Sequence, residues 1–236
     1  MDDVSEQNQQ RDRPSVSEQG RKRRSRAVRW GTPLCGLLIV LLLTSAFVVQ
    51  PFLIPSSSME PTLQVGDRVL VNKLAYTSGD RPDRGDVVVF DGAGSFEDEE
   101  PEGNRLAALL RRAGAAVGLS DASGSDYVKR VVGVGGDSVA CCDERGRIEV
   151  NGEPVDEAYL HPGDAPSTVP FDIEVPDGRL WVMGDHRSDS SDSRDHLGGP
   201  GGGTVPLDRV IGRADWIGWP VGRWTTVPAA AGGDRG

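Results

Sequence analysis

The chain has 236 residues, a net charge of −10 and a hydrophobic fraction of 37%, which suits one domain of good size with appendages. Three cysteines are too few for a disulfide scaffold, and the acidic body argues against nucleic-acid binding. The 31 Gly and 16 Pro point to a loop-rich fold of short strands.

Residues 1–29 are polar and lack apolar periodicity, which reads as a disordered segment. The chain's basic charge is concentrated there, in Arg21-Lys-Arg-Arg-Ser-Arg26 above all. Ahead of an apolar run, such a cluster is the positive-inside signal that keeps the N-terminus cytoplasmic. No charged residue occurs from Trp30 to Met59, and the aliphatic core Leu34–Val49 with its flanks is long enough to cross a bilayer. Residues 30–50 are therefore expected to be a single transmembrane helix. The rival reading is a cleavable leader cut near Thr44-Ser-Ala46. The run is long for a leader, and the Ser-rich stretch that follows would lie only a few residues from the cut.

A single folded body is expected over residues 51–225. Short β-rich runs follow one another between Gly-Asp turns: Asp67–Asn72, Asp86–Phe90, Tyr127–Val132 and Arg147–Val150. Asn151-Gly152 then fits a type I′ hairpin turn into Glu153-Pro-Val155. Further strands are expected at Phe171–Val175, Arg179–Met183 and Val210–Ile217. The fold class is mainly β, an antiparallel sheet domain behind one N-terminal transmembrane helix. Residues 91–126 break the pattern with acidic Phe96-Glu-Asp-Glu-Glu100 and helix-like Arg105–Arg112, and read as a mobile surface insertion. Residues 226–236 read as a disordered tail.

Cys141 and Cys142 are adjacent, and two neighbours without further ligands cannot make a tetrahedral metal site. Free thiols and a vicinal disulfide both fit, the second if the body is extracytoplasmic. Trp216, Trp219 and Trp224 fit either a membrane interface or core packing.

Three stretches carry chemistry. Pro55-Ser-Ser-Ser-Met-Glu-Pro61 presents serine hydroxyls on backbone stiffened by proline at either end. In Asp126-Tyr-Val-Lys-Arg-Val-Val-Gly-Val134, strand alternation puts Lys129 on the face of Tyr127 and Val131. A lysine desolvated there has a lowered pKa and can take a proton from a serine; exposed, it is an ordinary strand lysine. The third stretch, Met183-Gly-Asp-His-Arg-Ser-Asp-Ser-Ser-Asp-Ser-Arg194, lacks EF-hand spacing, so no metal or cofactor is expected. A histidine base is disfavoured because no Gly-x-Ser-x-Gly elbow is present.

Together these stretches resemble the bacterial type I signal peptidases of the serine/lysine kind (peptidase family S26), with an actinobacterial-like composition. The resemblance runs through Phe52–Leu63, Gly66–Lys73, Arg84–Phe90, Tyr127–Asp137, Gly184–Arg194 and Val205–Arg213. It implies Ser58 as nucleophile and Lys129 as general base, with Ser56 and the Ser58 backbone N–H as oxyanion donors. It also implies that Ser190 orients the lysine, supported by Asp192 and Arg194. Phe52, Ile54, Pro55, Met59, Leu63, Tyr127 and Val128 are implied to line shallow pockets for small substrate side chains. The sequence departs from the commoner Gly-Asp-Asn-Arg-Asp-Asn-Ser pattern at His186, Ser188 and Asp189.

The activity so implied is removal of Ala-x-Ala signal peptides on the outer face of the plasma membrane. Its partners are the signal peptides of exported preproteins, the lipid bilayer and the export machinery, with no nucleic acid. Two rivals remain: a self-cleaving serine/lysine protease of the SOS-repressor type, and a non-enzymatic anchored β-domain.

Overall fold

The computed structural model describes residues 48–77, 79–97, 126–199 and 201–230, with separate helical positions at 33, 36, 37, 40 and 41. Among these residues no helix is long and apolar enough to cross a membrane. Most of the expected anchor over 30–50 lies outside them, as do residues 98–125 of the expected insertion. The chain divides into two units, Met1–Leu41 and Leu42–Gly236. All the described strands belong to the second.

These strands are β1 (Val49–Leu53), β2 (Arg68–Asn72), β3 (Val87–Asp91), β4 (Asp126–Val134), β5 (Ser138–Cys141) and β6 (Ile148–Val150). They continue as β7 (Glu153–Pro154), β8 (Phe171–Glu174), β9 (Arg179–Met183), β10 (Val205–Pro206), β11 (Val210–Trp219) and β12 (Thr225–Thr226). The larger sheet has the order β1-β2-β11-β3-β4-β9-β10, with β12 also paired to β11. A smaller sheet has the order β7-β6-β5-β8. Every strand pairing is antiparallel.

The unbroken apolar run of β3 follows from its position. Val87 and Val89 point into one apolar cluster, with Phe52, Met59, Leu63 and Val69. Val88 and Phe90 point into another, with Val131, Leu180 and Val182. A central strand covered on both faces has no solvent side on which to alternate. Each of these buried side chains contributes about 1.5–3 kcal/mol. A third cluster, around Val139, Ile148, Phe171 and Trp181, fills the space between the two sheets.

Several expectations shift. Strand β1 begins at Val49, inside the segment expected to be helical to residue 50, because it pairs residue for residue with β2. Phe96, expected on a mobile insertion, is buried edge-on against Phe90 at 5.3 Å. The expected tail is docked as far as it is described. Thr225 and Thr226 pair with β11, Val227 N–H donates to Asp215 O at 2.9 Å, and Pro228 O accepts from Arg130 at 3.0 Å. The hairpin turn is as expected, with φ of 56° at Asn151 and 78° at Gly152. Cys141 and Cys142 form a vicinal disulfide at the end of β5.

The two sheets approach closely at Gly133 in β4. A Cβ there would lie 2.5 Å from a Val139 methyl and 3.2 Å from a Val175 methyl. Gly133→Ala is therefore expected to destabilise the domain by about 1–3 kcal/mol through overpacking. Chemical denaturation of wild type and variant measures the difference.

Candidate active site

The hydroxyl of Ser58 is delivered by the chain that leaves β1. Ile54 extends the β1–β2 ladder, donating to Asp67 O and accepting from Gly66 N–H, each at 2.9 Å. Five residues later Met59 is buried, and Leu63 N–H donates to its carbonyl at 2.9 Å to close a turn. Ser58 is thus held between a strand end and a core anchor, and is itself buried. On β4, Lys129 pairs across the ladder with Val88 and is only 4% exposed. Its Nζ lies 2.8 Å from Ser58 Oγ, within hydrogen-bonding distance.

Burial is the main influence on this lysine and lowers its pKa to about 8, because an ammonium loses its hydration there. Asp192, Asp185 and Asp195 pull the value up, while Arg194 pushes it down. The amine is thereby poised near neutral pH, where its free form accepts a proton from a serine hydroxyl.

Arg130, the next residue on β4, has the opposite circumstances. Fully buried, it makes a two-pronged ion pair with Asp185, at 2.8 Å and 2.7 Å. It also donates to Gly85 O at 2.7 Å and lies 4.1 Å over the Tyr159 ring. Thr62, beyond the turn that follows Ser58, donates to Asp185 at 2.5 Å. This network ties β4, the turn after Ser58 and the loop after β9 into one unit. Arg130 and Asp185 lie in the stretches Tyr127–Asp137 and Gly184–Arg194, yet no pattern distinguishes them from solvated charges until the fold buries both.

Asp192 is buried and accepts from Arg194 at 2.8 Å and 2.9 Å, from Gly184 N–H at 3.0 Å and from Ser190 Oγ at 2.9 Å. Burial pushes its carboxyl up, but the Arg194 guanidinium and the other donors outweigh this and hold it below the usual range. The Ser190 hydroxyl therefore goes to Asp192. Among the described residues Lys129 Nζ has its hydrogen bond to Ser58 and none to Ser190. Ser56 is exposed, with its Oγ 3.3 Å from Ser58 Oγ.

The seven expected pocket residues separate. Phe52, Ile54, Met59 and Leu63 form one apolar cluster, with Val128 packed against it. Tyr127 lies in the cluster on the other face of β4, stacked on Phe90 at 5.8 Å, and Pro55 is exposed. None of the three histidines hydrogen-bonds Ser58 Oγ. His161 stacks on His186 at 3.9 Å, and His196 stacks on Phe96 at 4.2 Å.

A buried serine and lysine in contact, on a strand-rich scaffold, agree with what sequence comparison finds. The family described as "Signal peptidase, peptidase S26" matches residues 27–219. The chain belongs to this family. Its relatives include a signal peptidase I of Mycobacterium tuberculosis, 41% identical over 213 residues, covering 81% of this chain and 71% of the relative. A probable signal peptidase I of Mycobacterium leprae is 39% identical over 221 residues, covering 81% and 75%. A signal peptidase I of Pseudomonas aeruginosa is 32% identical over 252 residues, covering 85% and 76%. Among solved structures, a signal peptidase I from Enterococcus faecalis V583 gives a TM-score of 0.36 at 21% identity, covering 57% of this chain and 97% of that one.

Within this S26 peptidase, Gly184 sits where the loop after β9 meets Ser58. A Cβ there would overlap the Ser190 side chain and lie 2.5 Å from the Ser58 carbonyl oxygen. Gly184→Ala is expected to displace Ser58 and lower kcat by about 100-fold, the cost of a misplacement near 1 Å. Steady-state kinetics with circular dichroism as a fold control measure it.

Proposed function

We propose that the chain is a membrane-anchored serine endopeptidase that removes N-terminal signal peptides of the Ala-x-Ala type from exported preproteins. Ser58 is the nucleophile and Lys129 the general base. The observation that carries the mechanism is the 2.8 Å approach of Lys129 Nζ to Ser58 Oγ with both groups buried.

Neutral Lys129 takes the Ser58 proton as Oγ attacks the scissile carbonyl, forming a tetrahedral oxyanion. The Ser58 N–H and the Ser56 hydroxyl are the expected donors to that oxygen, and one such donor is worth about 3–4 kcal/mol in comparable hydrolases. Lys129 ammonium then protonates the leaving amine, giving the acyl-enzyme. The lysine, neutral again, activates a water that releases the peptide.

Two features favour an extended substrate. Among the described residues β1 pairs with β2 alone, which leaves its outer edge open. The pairing of β4 with β9 begins only at Arg130, so residues 126–129 are bonded through β3 on one side alone. A peptide strand can be added at such edges. The buried cluster of Phe52, Ile54, Met59 and Leu63 beneath the segment suits small side chains by exclusion of large ones.

Attachment to the bilayer rests on the uncharged run from Trp30 to Met59 and on exposed Trp216, Trp219, Val221 and Trp224. Indole rings favour the headgroup region. The basic leader orients the N-terminus to the cytoplasm and the catalytic domain outside.

Cleavage of an Ala-x-Ala preprotein by full-length enzyme in lipid tests the dyad. Ser58→Ala and Lys129→Ala are expected to remain folded and lose at least about 1,000-fold in kcat/KM, while Ser57→Ala keeps most of it. Residual cutting by Lys129→Ala at the wild-type rate would sink the lysine base.

The pH dependence has a definite sign. Protonation silences the base, so kcat/KM should fall about tenfold per unit below the lysine pKa near 8 and level off above it. A profile flat from about pH 6 to about pH 9 contradicts a lysine base with this titration.

A further inference from the structure

Three loops converge on the backbone side of Ser58, away from Lys129. Glu60 lies two residues after the nucleophile, and its N–H donates to Ser57 O at 2.9 Å. His186 follows the buried Asp185, and its N–H donates to Ser58 O at 3.1 Å. His161 comes from the loop after β7, and its N–H donates to Asp185 O at 2.9 Å. One carboxylate oxygen of Glu60 and one ring nitrogen of each histidine lie within 4.8 Å of one another.

We propose that Glu60, His161 and His186 form a binding site for a borderline divalent transition metal of the Zn²⁺ type. Two imidazoles and a carboxylate are a donor set that Zn²⁺ accepts, leaving a fourth position for water. A second observation points to a ligand. His186 Nδ1 is buried and has no hydrogen-bond partner among the described residues. A buried polar nitrogen is ordinarily satisfied, and a metal or a metal-bound water would satisfy this part of the ring.

Charge favours a cation as well. Asp164, whose carboxylate accepts from Ser188 N–H at 3.1 Å and from Ser188 Oγ at 2.8 Å, interacts electrostatically with both histidines. Donor atoms around tetrahedral Zn²⁺ stand about 3.3 Å apart, given bonds of about 2.0–2.1 Å. The three side chains must therefore close in by up to about 1.5 Å. All three are only partly buried, and the two imidazoles, now stacked 18° from parallel at 3.9 Å, must turn out of the stack so that both ring planes meet at the ion.

The site is coupled to the nucleophile by covalent and hydrogen-bonded links. A metal held by Glu60 and His186 fixes the residue two positions after Ser58 and the donor to the Ser58 carbonyl. It touches neither Ser58 Oγ nor Lys129 Nζ, so it is a positioning site rather than part of the proton transfer.

The test uses the full chain in detergent, purified without a polyhistidine tag and with the disulfide oxidised. Isothermal titration with Zn²⁺ is expected to show one site per chain. Glu60→Gln and His161→Asn should each weaken it at least tenfold. Co²⁺ in its place should give the visible absorption of a four-coordinate ion in the wild type, lost in both variants. Absence of stoichiometric Zn²⁺ binding, or binding equal in wild type and both variants, overturns the site and leaves the histidine pair a packing contact. Binding is read from the metal itself, so the outcome is independent of the peptidase assignment.

Discussion

The catalytic reading depends on one unfavourable placement, an amine buried on a sheet face that is otherwise apolar. An ammonium at Lys129 would lose most of its hydration and gain no direct ion pair among the described residues. The free amine loses far less, so burial brings deprotonation down to about pH 8, well below the usual lysine range. In the proposed mechanism that preference supplies the base, and it is available only while Ser58, β4 and the loop after β9 keep water and carboxylates from direct contact with Nζ. A closer Asp192 would hold the lysine charged and idle. Its commitment to Arg194, Gly184 and Ser190 keeps its charge directed elsewhere.

The neighbouring basic residue shows how the same strand keeps a charge. Lys129 and Arg130 project from opposite faces of β4, and both are buried. Arg130 retains its charge because its planar guanidinium finds a two-pronged carboxylate and a backbone carbonyl. A buried pair of this kind adds little net stability, since desolvation offsets most of the attraction, but leaving either partner alone costs about 3–5 kcal/mol. Its consequence is geometric. Asp185 and Thr62 are locked to β4, so the residues on either side of Ser58 cannot drift relative to Lys129.

Ser58 is accordingly gripped on two sides by different means. Apolar packing of Met59 and Leu63 holds the turn from below. A hydrogen bond from His186 N–H holds the Ser58 carbonyl, and the histidine–glutamate group gathers around this second grip. Departures from the commoner family pattern fall at the same place, since His186 is one of the substituted positions.

Much of this was legible in the amino-acid order. Strands β2, β3, β4, β6, β8, β9 and β11 announce themselves through β-branched runs between turn residues, and Asn151-Gly152 states its own turn type. Ser58 and Lys129 stand out through motif context, and alternation alone sets Lys129 on the face of Val131. What stayed hidden lacked a local signal. Strands β5, β10 and β12 are only two to four residues long, too short for a readable alternation, and β1 was masked by the apolar run before it. Phe96 packs on Tyr127 and His196, and Pro228 accepts from Arg130, all neighbours far along the chain.

The sequence by itself determined the kind of chemistry, because a serine and a lysine in these contexts are local facts. Tertiary structure decided which charges are paired and which are neutral. Asp185, Asp192 and Asp189 look alike in a row of Asp, Ser and Arg. Burial and partners separate them: the first locks Arg130, the second is held by Arg194, and the third sits exposed beside Ser57. Desolvation depends on what surrounds a group in space, and residues up to 130 positions apart in the chain supply those surroundings around Ser58.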